Sequence, residues 1–227
     1  LTVLQPLKLK DPEFITALKD LNADLHVVVA FRMLPEIVWN MPPKGTINLH
    51  GSLLPQYRGA APINHAIING EKESGVTTFF LKHEIDTGDI IFSRSVSINE
   101  HDTAGDLHDK LMAVGAKLLT ETVQAIESGN YTEQPQPDSE HLKHAPKIFK
   151  DFCNIDWNQP VQTIYNHIRG LSPYPTAFTQ LNGKGLKIFK AEIEVKEPGI
   201  TPGGFLSDGK TFLKFAAKDG FIKLTDL

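Results

Sequence analysis

A polar segment at residues 130–147 constrains the fold more than any other feature, because it separates two parts with different patterns. It contains three prolines and shows no apolar periodicity, which is typical of a linker. Before it, short apolar runs alternate with helical patterns. After it, one helical stretch is followed by short strands separated by tight turns. We therefore predict two domains, residues 1–129 and 148–227, joined by this linker.

The first part alternates between the periodicities of helices and strands. Asp11-Pro12-Glu13 combines a capping oxygen, a proline at the first helical position and an acidic first turn, so a helix is predicted to begin there. The apolar run at residues 26–31 is typical of a strand covered on both faces. Further strands are predicted at residues 1–4, 46–50, 76–81 and 90–96, and further helices at residues 62–70 and 103–129. This alternation indicates an α/β fold with a Rossmann-like, mostly parallel sheet.

The second part has the turn spacing of an all-β domain. One helical stretch at residues 161–169 comes first. Asn182-Gly183 then predicts a tight hairpin between two β-patterned segments. Asp208-Gly209 and Asp219-Gly220 repeat this turn chemistry about 11 residues apart, which is typical of a small antiparallel barrel.

Composition limits the compartment and the class of protein. The 227 residues are 41% hydrophobic and 22% charged, and no apolar run approaches the ~20 residues that span a bilayer. The single cysteine, Cys153, cannot form an internal disulfide and fits a reducing compartment. We therefore expect a soluble cytoplasmic protein without membrane association. Residues 147–227 carry 11 basic and 8 acidic side chains, which could help to hold a polyanion or could be ordinary scatter.

Two polar residues lie at the end of a predicted strand. Asn48 and His50 are two residues apart, so their side chains project from the same face. The C-terminal ends of strands in open parallel sheets are where ligands bind. A carboxamide can donate a hydrogen bond to a developing oxyanion, and an imidazole can move a proton near neutral pH. By itself, however, such a pair is more often a structural hydrogen-bonding unit.

Asp86 lies in a polar turn between two predicted strands and could orient His50 or relay protons. Alternatively it forms an Asx-type turn with Gly88. The triplet Asp86-Thr87-Gly88 also occurs in aspartic proteases, but their mechanism requires two such carboxylates and the chain has one such triplet. A metal site formed by Asp86 and nearby histidines would lack the H-E-x-x-H spacing or cysteine pairs of zinc sites, so we predict no metal.

Residues 51–62 form a glycine- and proline-bearing loop that precedes a helix. Its backbone N–H groups and Arg58 could receive an anion. The loop has neither G-x-G-x-x-G nor G-K-[ST], so the fingerprints of nucleotide cofactors are absent. The residues by themselves therefore support a two-domain α/β enzyme with an Asn–His–Asp site.

Ordered motifs in both parts of the chain resemble one family. They are NLHGSLLP at residues 48–55, YRGAAP at 57–62, GVT at 75–77, DTGD at 86–89, IDW at 155–157 and RGLSPYPTAF at 169–178. The joint match covers nearly the whole chain and is far more specific than any single motif. On these motifs the chain resembles the methionyl-tRNA formyltransferase family.

The resemblance implies transfer of a formyl group from 10-formyltetrahydrofolate to the α-amino group of methionine on initiator tRNA, which produces N-formylmethionyl-tRNA for translation initiation. Asn48, His50 and Asp86 match the catalytic residues of that family. Asn48 is expected to stabilise the oxyanion of the tetrahedral intermediate. His50 is expected to assist deprotonation of the amine and to donate to the oxyanion. Asp86 is expected to orient the imidazole and to help pass a proton to the leaving folate nitrogen.

The resemblance also implies binding residues. The expected folate contacts are Arg32, Met33, Leu34, Ser52, Leu53, Leu54 and Pro55. The second domain, similar to an OB-like barrel, would help to grip the tRNA acceptor arm. The candidate tRNA contacts are Arg58, Lys184, Lys187 and Lys190. No metal is expected, and the protein is expected to act as a monomer.

The chain departs from the family pattern at its beginning. The family starts with a β–α–β unit that has no counterpart here, so we expect a longer parent protein and expect activity of that parent rather than of residues 1–227 alone. Relatives with the same catalytic domain formylate amino sugars or nucleotide amines, and the sugar enzymes, which carry both halves, are the main alternative. A catalytically silent RNA-binding module is a third hypothesis, against which the intact Asn–His–Asp trio argues.

Overall fold

The computed structural model describes residues 1–29, 33–137 and 141–227. Helices and strands alternate up to residue 128, after which strands predominate. The helices are α1 (Pro12–Asp20), α2 (Glu36–Trp39), α3 (Pro62–Ile68), α4 (Ala104–Ser128) and α5 (Val161–Leu171), with a 3-10 helix at Lys150–Cys153. The strands are β1 (His26–Val29), β2 (Thr46–His50), β3 (Arg58–Gly59), β4 (Glu73–Phe80), β5 (Ile90–Ser97), β6 (His144–Ala145), β7 (Ala177–Leu181), β8 (Lys184–Ile188), β9 (Lys190–Glu194), β10 (Phe205–Ser207), β11 (Leu213–Ala216) and β12 (Phe221–Asp226).

The chain forms two compact units that do not follow its linear order. Unit 1 comprises Leu1–Arg58, Gly75–Ser95 and Met112–His144. Unit 2 comprises Gly59–Ser74, Val96–Leu111 and Ala145–Leu227. The sequence predicted two consecutive domains with a linker at residues 130–147, whereas each compact unit combines segments from separate parts of the chain. The predicted division stays a prediction.

The sheet of unit 1 has the strand order β1-β2-β4-β5. β1 runs parallel to β2, with Val28 beside Asn48. β4 runs antiparallel to β2, with Phe79 on the other side of Asn48. The predicted α/β class is confirmed, but the sheet is mixed rather than mostly parallel. Alternation of helices and strands does not fix strand direction, because direction depends on the end of the sheet at which each connection returns.

Apolar side chains from the sheet and from α4 form the core of unit 1. Ile47 is fully buried and Ile91 nearly so. α4 presents Leu118, Thr122 and Ile126, which are four residues apart and therefore share one face of the helix. Burying each large aliphatic side chain stabilises the fold by about 1.5–3 kcal/mol. This packing fixes β2, the strand that carries two of the predicted catalytic residues.

The starts of α1 and α4 follow the predicted capping rules. Asp11 accepts a hydrogen bond from the Glu13 backbone N–H at 3.0 Å, and α1 begins at the next residue, Pro12. Before α4, Thr103 and Asp106 form a reciprocal capping box: the Thr103 N–H donates to the carboxylate and the Asp106 N–H donates to the hydroxyl. No helix in the described residues has the length and apolarity needed to cross a membrane.

Residues 1–4 were predicted to form a strand, and this prediction is wrong. They have no regular structure, and the side chain of Leu1 is fully exposed and that of Val3 largely exposed. An apolar pattern forms a strand only where a neighbouring strand supplies backbone hydrogen bonds. The pairings described in the structure give these residues no such neighbour.

Unit 2 packs antiparallel strands against α5. Its larger sheet has the order β10-β11-β12-β9, and β7 pairs with β8. Asn182 and Gly183 adopt the positive φ angles of 52° and 76° that the predicted tight hairpin requires. In the core, the Trp157 ring stacks on Phe215 with centroids 4.6 Å apart. The predicted antiparallel domain is confirmed, whereas the described pairings form an open sheet and a hairpin and do not show a closed barrel.

Candidate active site

Two of the three predicted catalytic residues lie at the C-terminal half of β2, as expected. β2 ends at His50, which lies opposite Thr77 of β4, while Asn48 lies opposite Phe79. Because alternate residues of a strand share a face, Asn48 and His50 project from the same side. Within the part of the chain that the structure describes, the Asn48 carboxamide makes no hydrogen bond. Its N–H groups can therefore donate to a bound molecule.

His50 is held through one ring nitrogen and faces Asp86 with the other. Nε2 lies 2.9 Å from the Tyr57 carbonyl oxygen. A carbonyl oxygen can only accept, so Nε2 carries the hydrogen of this bond and Nδ1 of the neutral ring has a free lone pair. Nδ1 lies 3.8 Å from Oδ2 of Asp86, and the two side chains are only 7% and 11% exposed. The structure therefore brings the basic nitrogen of His50 next to a shielded carboxylate.

The backbone is unusual on both sides of this pair. Tyr57 and Asp86 have φ angles of 60° and 56°, in the left-handed region that bulky residues rarely adopt. The positive φ of Tyr57 accompanies the carbonyl contact with His50. In the Asp86 turn, a Cβ at Gly88 would lie 1.6 Å from the Phe80 carbonyl oxygen, so only glycine fits there. Backbone strain of this kind is concentrated at functional sites.

The loop at residues 52–55 is held by a residue that the sequence analysis missed. The Thr77 hydroxyl donates to the Ser52 carbonyl oxygen at 2.7 Å and accepts from the Leu54 N–H at 3.2 Å. The Ser52 hydroxyl donates to the Gln56 carbonyl oxygen at 2.6 Å. The Ser52 and Leu54 side chains are buried, whereas those of Leu53 and Pro55 are half-buried. Of the four predicted folate contacts in this loop, Leu53 and Pro55 can therefore offer side-chain surface.

Gln136, in the predicted linker, connects two segments of the site. Its Oε1 accepts hydrogen bonds from Nε and Nη2 of Arg58 at 2.9 and 2.6 Å. Its Nε2 donates to the carbonyl oxygens of Asp86 and Gly88, both at 2.8 Å. Arg58, which was predicted to contact tRNA, thus has two of its donors committed within the protein. Gln136 was not identified from the sequence, because its partners lie 78, 50 and 48 positions away.

An open groove of about 410 Å³ lies beside the Asp86 turn. Its lining residues are Trp39, Leu81, Lys82, His83, Glu84 and Thr87. The Trp39 and His83 rings meet edge to face, with centroids 5.3 Å apart. Of the other predicted folate contacts, Met33 is 77% exposed and Leu34 is half-buried, while Arg32 lies outside the described residues. The groove has the size of a small-molecule site and offers an aromatic face to a flat ligand.

The histidines of the alternative metal site have other contacts. His65 directs Nε2 to the Pro146 carbonyl oxygen at 3.0 Å. His83 Nε2 lies 3.4 Å from a carboxylate oxygen of Glu36, and both side chains are more than half exposed. Across the described ranges, no three His, Cys, Asp or Glu side chains are grouped as metal ligands would be.

The three lysines predicted to contact tRNA are all exposed. Lys184 and Lys187 lie three residues apart on β8, so they project from opposite faces of the strand. Lys190 begins β9 and helps to lower the pKa of Asp106, although hydrogen bonds from Thr103 contribute more to that shift. The structure therefore does not gather these lysines on a single strand face.

Both parts of the chain match known protein families. The family described as "Formyl transferase" matches residues 2–123, and "Formyl transferase, C-terminal domain" matches residues 147–227. A methionyl-tRNA formyltransferase of Bacteroides fragilis is 55% identical over all of this chain and 72% of its own length. One of Parabacteroides distasonis is 56% identical over all of this chain and 73% of its own length.

Solved structures share the fold at lower identity. HypX from Aquifex aeolicus, in complex with tetrahydrofolic acid, has a TM-score of 0.74 at 23% identity, covering 95% of this chain and 37% of HypX. An N-formyltransferase from Helicobacter canadensis, in complex with folinic acid and dTDP-3-aminofucose, has a TM-score of 0.64 at 26% identity, covering 79% of this chain and 65% of that protein. With relatives above 50% identity along its whole length, the chain belongs to the methionyl-tRNA formyltransferase family.

Proposed function

We propose that this protein transfers the formyl group of 10-formyltetrahydrofolate to the α-amino group of methionyl initiator tRNA. The observation that carries the proposal is the pairing of His50 and Asp86 beside Asn48 at the end of β2, with the Nδ1–Oδ2 distance of 3.8 Å. This arrangement supplies a hydrogen-bond donor and a base–carboxylate pair in one place. Formyl transfer between nitrogens needs these two functions and no metal.

Asn48 stabilises the charge that develops on the formyl oxygen. When the amine attacks the formyl carbon, the carbonyl oxygen becomes an oxyanion, and a fixed amide N–H lowers the energy of that state. The Asn48 carboxamide is suited to this role because β2 is held by strands on both sides. This pairing fixes the backbone from which the amide projects.

His50 and Asp86 manage the protons. Nδ1 of His50 takes the proton that the amine loses on attack, because Nε2 already donates to Tyr57. The resulting imidazolium is stabilised by the Asp86 carboxylate 3.8 Å away. The same pair returns a proton to the folate nitrogen as its bond to the formyl carbon breaks, which leaves both side chains in their starting state. Nδ1–H of the imidazolium is also the ring donor that can reach the oxyanion.

The residues near the groove fit a folate carrier, which supplies the formyl carbonyl. The polar backbone groups at the base of the 52–55 loop are satisfied by Thr77, so the loop offers a preformed, mostly apolar edge at Leu53 and Pro55. Trp39 adds an aromatic wall to the groove. We assign the pterin end to this groove, with Arg32, Met33 and Leu34 as further contacts.

We further propose that residues 148–227 form an OB-like barrel that grips the tRNA acceptor arm, with Arg58, Lys184, Lys187 and Lys190 as candidate contacts. Residues 1–129 form the catalytic domain and residues 130–147 the connection. A cytoplasmic monomer is the form that acts on tRNA, without membrane association. The excess of basic over acidic side chains in residues 147–227 supports this assignment.

The test is formyl transfer to charged initiator tRNA by the protein that carries this chain. Wild type is compared with Asn48→Ala and His50→Ala, and with His108→Ala as a control, because His108 is 60% exposed on α4. We expect a loss of about 10²-fold or more in kcat for either site variant and none for the control. If methionyl-tRNA is inert while an amino sugar nucleotide accepts the formyl group, the acceptor assignment is wrong and the sugar alternative replaces it.

A further inference from the structure

The Gln136 side chain uses its full hydrogen-bonding capacity within unit 1. A primary amide has two N–H donors and an oxygen with two lone pairs. Nε2 donates to Asp86 and Gly88, and Oε1 accepts twice from Arg58. Only this orientation of the amide is consistent with the partners, since the guanidinium can only donate and the carbonyls can only accept. The side chain is half-buried, so water competes only in part for these bonds.

The carbonyls that Gln136 binds are those of the turn that carries the catalytic carboxylate. Asp86 itself has a positive φ, and its neighbour Gly88 is pressed against Phe80. The carbonyl oxygens of residues 86 and 88 lie in the 86–87 and 88–89 peptide planes, so the bonds from Gln136 fix these two planes. The 86–87 plane adjoins the Cα atom of Asp86 and therefore helps to set the direction in which the Asp86 side chain leaves the backbone.

Arg58 anchors Gln136 to the segment that holds His50. Arg58 directly follows Tyr57, whose carbonyl oxygen receives the His50 Nε2–H. The connection therefore runs from the His50 acceptor through Arg58 and Gln136 to the Asp86 turn. It ties together the two backbone segments that determine the distance between His50 and Asp86.

We propose that Gln136 is a positioning residue that sets the Asp86 carboxylate beside Nδ1 of His50. This rests on the proposed function, because the readout is the rate of formyl transfer. Gln136 touches no reacting atom in this scheme. It acts through Asp86, and its loss slows the chemical step while leaving substrate affinity in place.

Two substitutions separate this role from a simple attachment to Arg58. Gln136→Met has a similar length and removes all four hydrogen bonds. Gln136→Glu keeps an acceptor for Arg58 and adds charge to that contact, but it places an oxygen against the carbonyls of Asp86 and Gly88. If Gln136 served only as a hydrogen-bond partner of Arg58, the Gln136→Glu variant would keep the wild-type kcat. Positioning of Asp86 predicts that both variants lose kcat, by about 10- to 10²-fold, with KM for both substrates unchanged.

Gln134→Glu is the matched control. Gln134 is exposed and lies two residues away, and its backbone pairs with Ile90 on both its N–H and its carbonyl. The same chemical change there adds a charge to the same segment without touching the Asp86 turn. We expect wild-type kcat and KM for this variant.

A double-mutant cycle with Asp86→Asn supplies the decisive comparison. If Gln136 works through Asp86, adding Gln136→Met to Asp86→Asn changes kcat by less than about 2-fold, although the single Gln136→Met change costs 10-fold or more. Effects that multiply, or a Gln136→Glu variant with wild-type kcat, overturn the proposal. A wild-type enzyme that transfers no formyl group to any amine overturns the proposed function instead.

Hydrogen exchange gives a readout that does not depend on activity. We expect the amides of residues 84–89 to exchange faster in Gln136→Met and Gln136→Glu than in wild type and Gln134→Glu, with the midpoint of thermal unfolding changed by no more than a few degrees. Unchanged exchange in this turn would show that Gln136 does not hold it.

Discussion

Thr77 and Thr78 provide a paired test of how the folate loop is held. They are adjacent on β4, and both side chains are fully buried. The Thr77 hydroxyl bonds the Ser52 carbonyl oxygen and the Leu54 N–H. The Thr78 hydroxyl bonds the Thr122 hydroxyl at 2.9 Å and lies 3.4 Å from the Phe92 carbonyl oxygen, and Thr122 also has the Leu118 carbonyl oxygen as a partner. Replacement by Val keeps the shape at both positions and removes only the hydroxyl.

The expected loss of stability depends on which hydrogen-bonding groups each substitution leaves without a partner. Thr77→Val leaves a donor and an acceptor of the loop without partners, and each such buried group costs about 1–3 kcal/mol. Because the loop borders a half-buried surface, partial access to water places the sum at about 2–4 kcal/mol. Thr78→Val costs about 1 kcal/mol, since the Thr122 hydroxyl keeps its bond to Leu118 and the contact with Phe92, at 3.4 Å, is long.

Urea unfolding measures the two free energies, and steady-state kinetics measures KM for the formyl donor. We expect Thr77→Val to lower the free energy of unfolding by at least about 1 kcal/mol more than Thr78→Val does. We also expect it to raise KM for the folate, because the loop loses its fixed shape. Equal destabilisation with equal KM in the two variants would refute the idea that Thr77 holds this loop.

Two further predictions concern Gly88 and the half-buried His167. Gly88→Ala places a Cβ 1.6 Å from the Phe80 carbonyl oxygen, so the Asp86 turn must shift; we expect about 1–3 kcal/mol of destabilisation in a urea titration and a loss of kcat in the formylation assay. Burial lowers the pKa of His167 below its ordinary value of 6.5, so the fold favours the neutral ring. The contribution of His167 to the free energy of unfolding is fully present above pH 6.5 and decreases as the pH drops below that value. His167→Asn, measured by urea unfolding at pH values on both sides of 6.5, should show a smaller loss on acidification than wild type, and an equal loss would assign the acid sensitivity elsewhere.

Features with a local physical cause were predictable from the sequence. The N-cap of α1, the capping box of α4 and the Asn182-Gly183 hairpin depend on residues within three positions of each other, so their sequences determine them. The placement of Asn48 and His50 on one face follows from the strand period of two. Assignment of the family came from the joint motifs, whereas no single motif was sufficient.

Features that depend on distant residues were not predictable. The direction of β4 relative to β2 is a property of the assembled sheet, and the apolar pattern is the same for either direction. Residues 1–4 carry a strand-like pattern but have no strand beside them in the structure. Thr77 looks like any threonine of a β-strand, and its role appears only when the loop at residues 52–55 lies against it.

His50 and Asp86 could be predicted from the sequence, whereas the residues that hold them in position could not. The contacts of this pair explain the difference. His50 is oriented by the carbonyl of Tyr57, and the Asp86 turn is held through the carbonyls of residues 86 and 88. Every residue has a carbonyl group, so side-chain identity at the accepting positions carries little information. What matters there is backbone conformation, and the positive φ angles of Tyr57 and Asp86 mark it. The side chains that make these contacts specific are the donors, His50 and Gln136. Of the two, only histidine is a residue type that suggests a catalytic role in a sequence. A polar residue in a proline-rich segment is read as solvated linker until its hydrogen-bond partners are known.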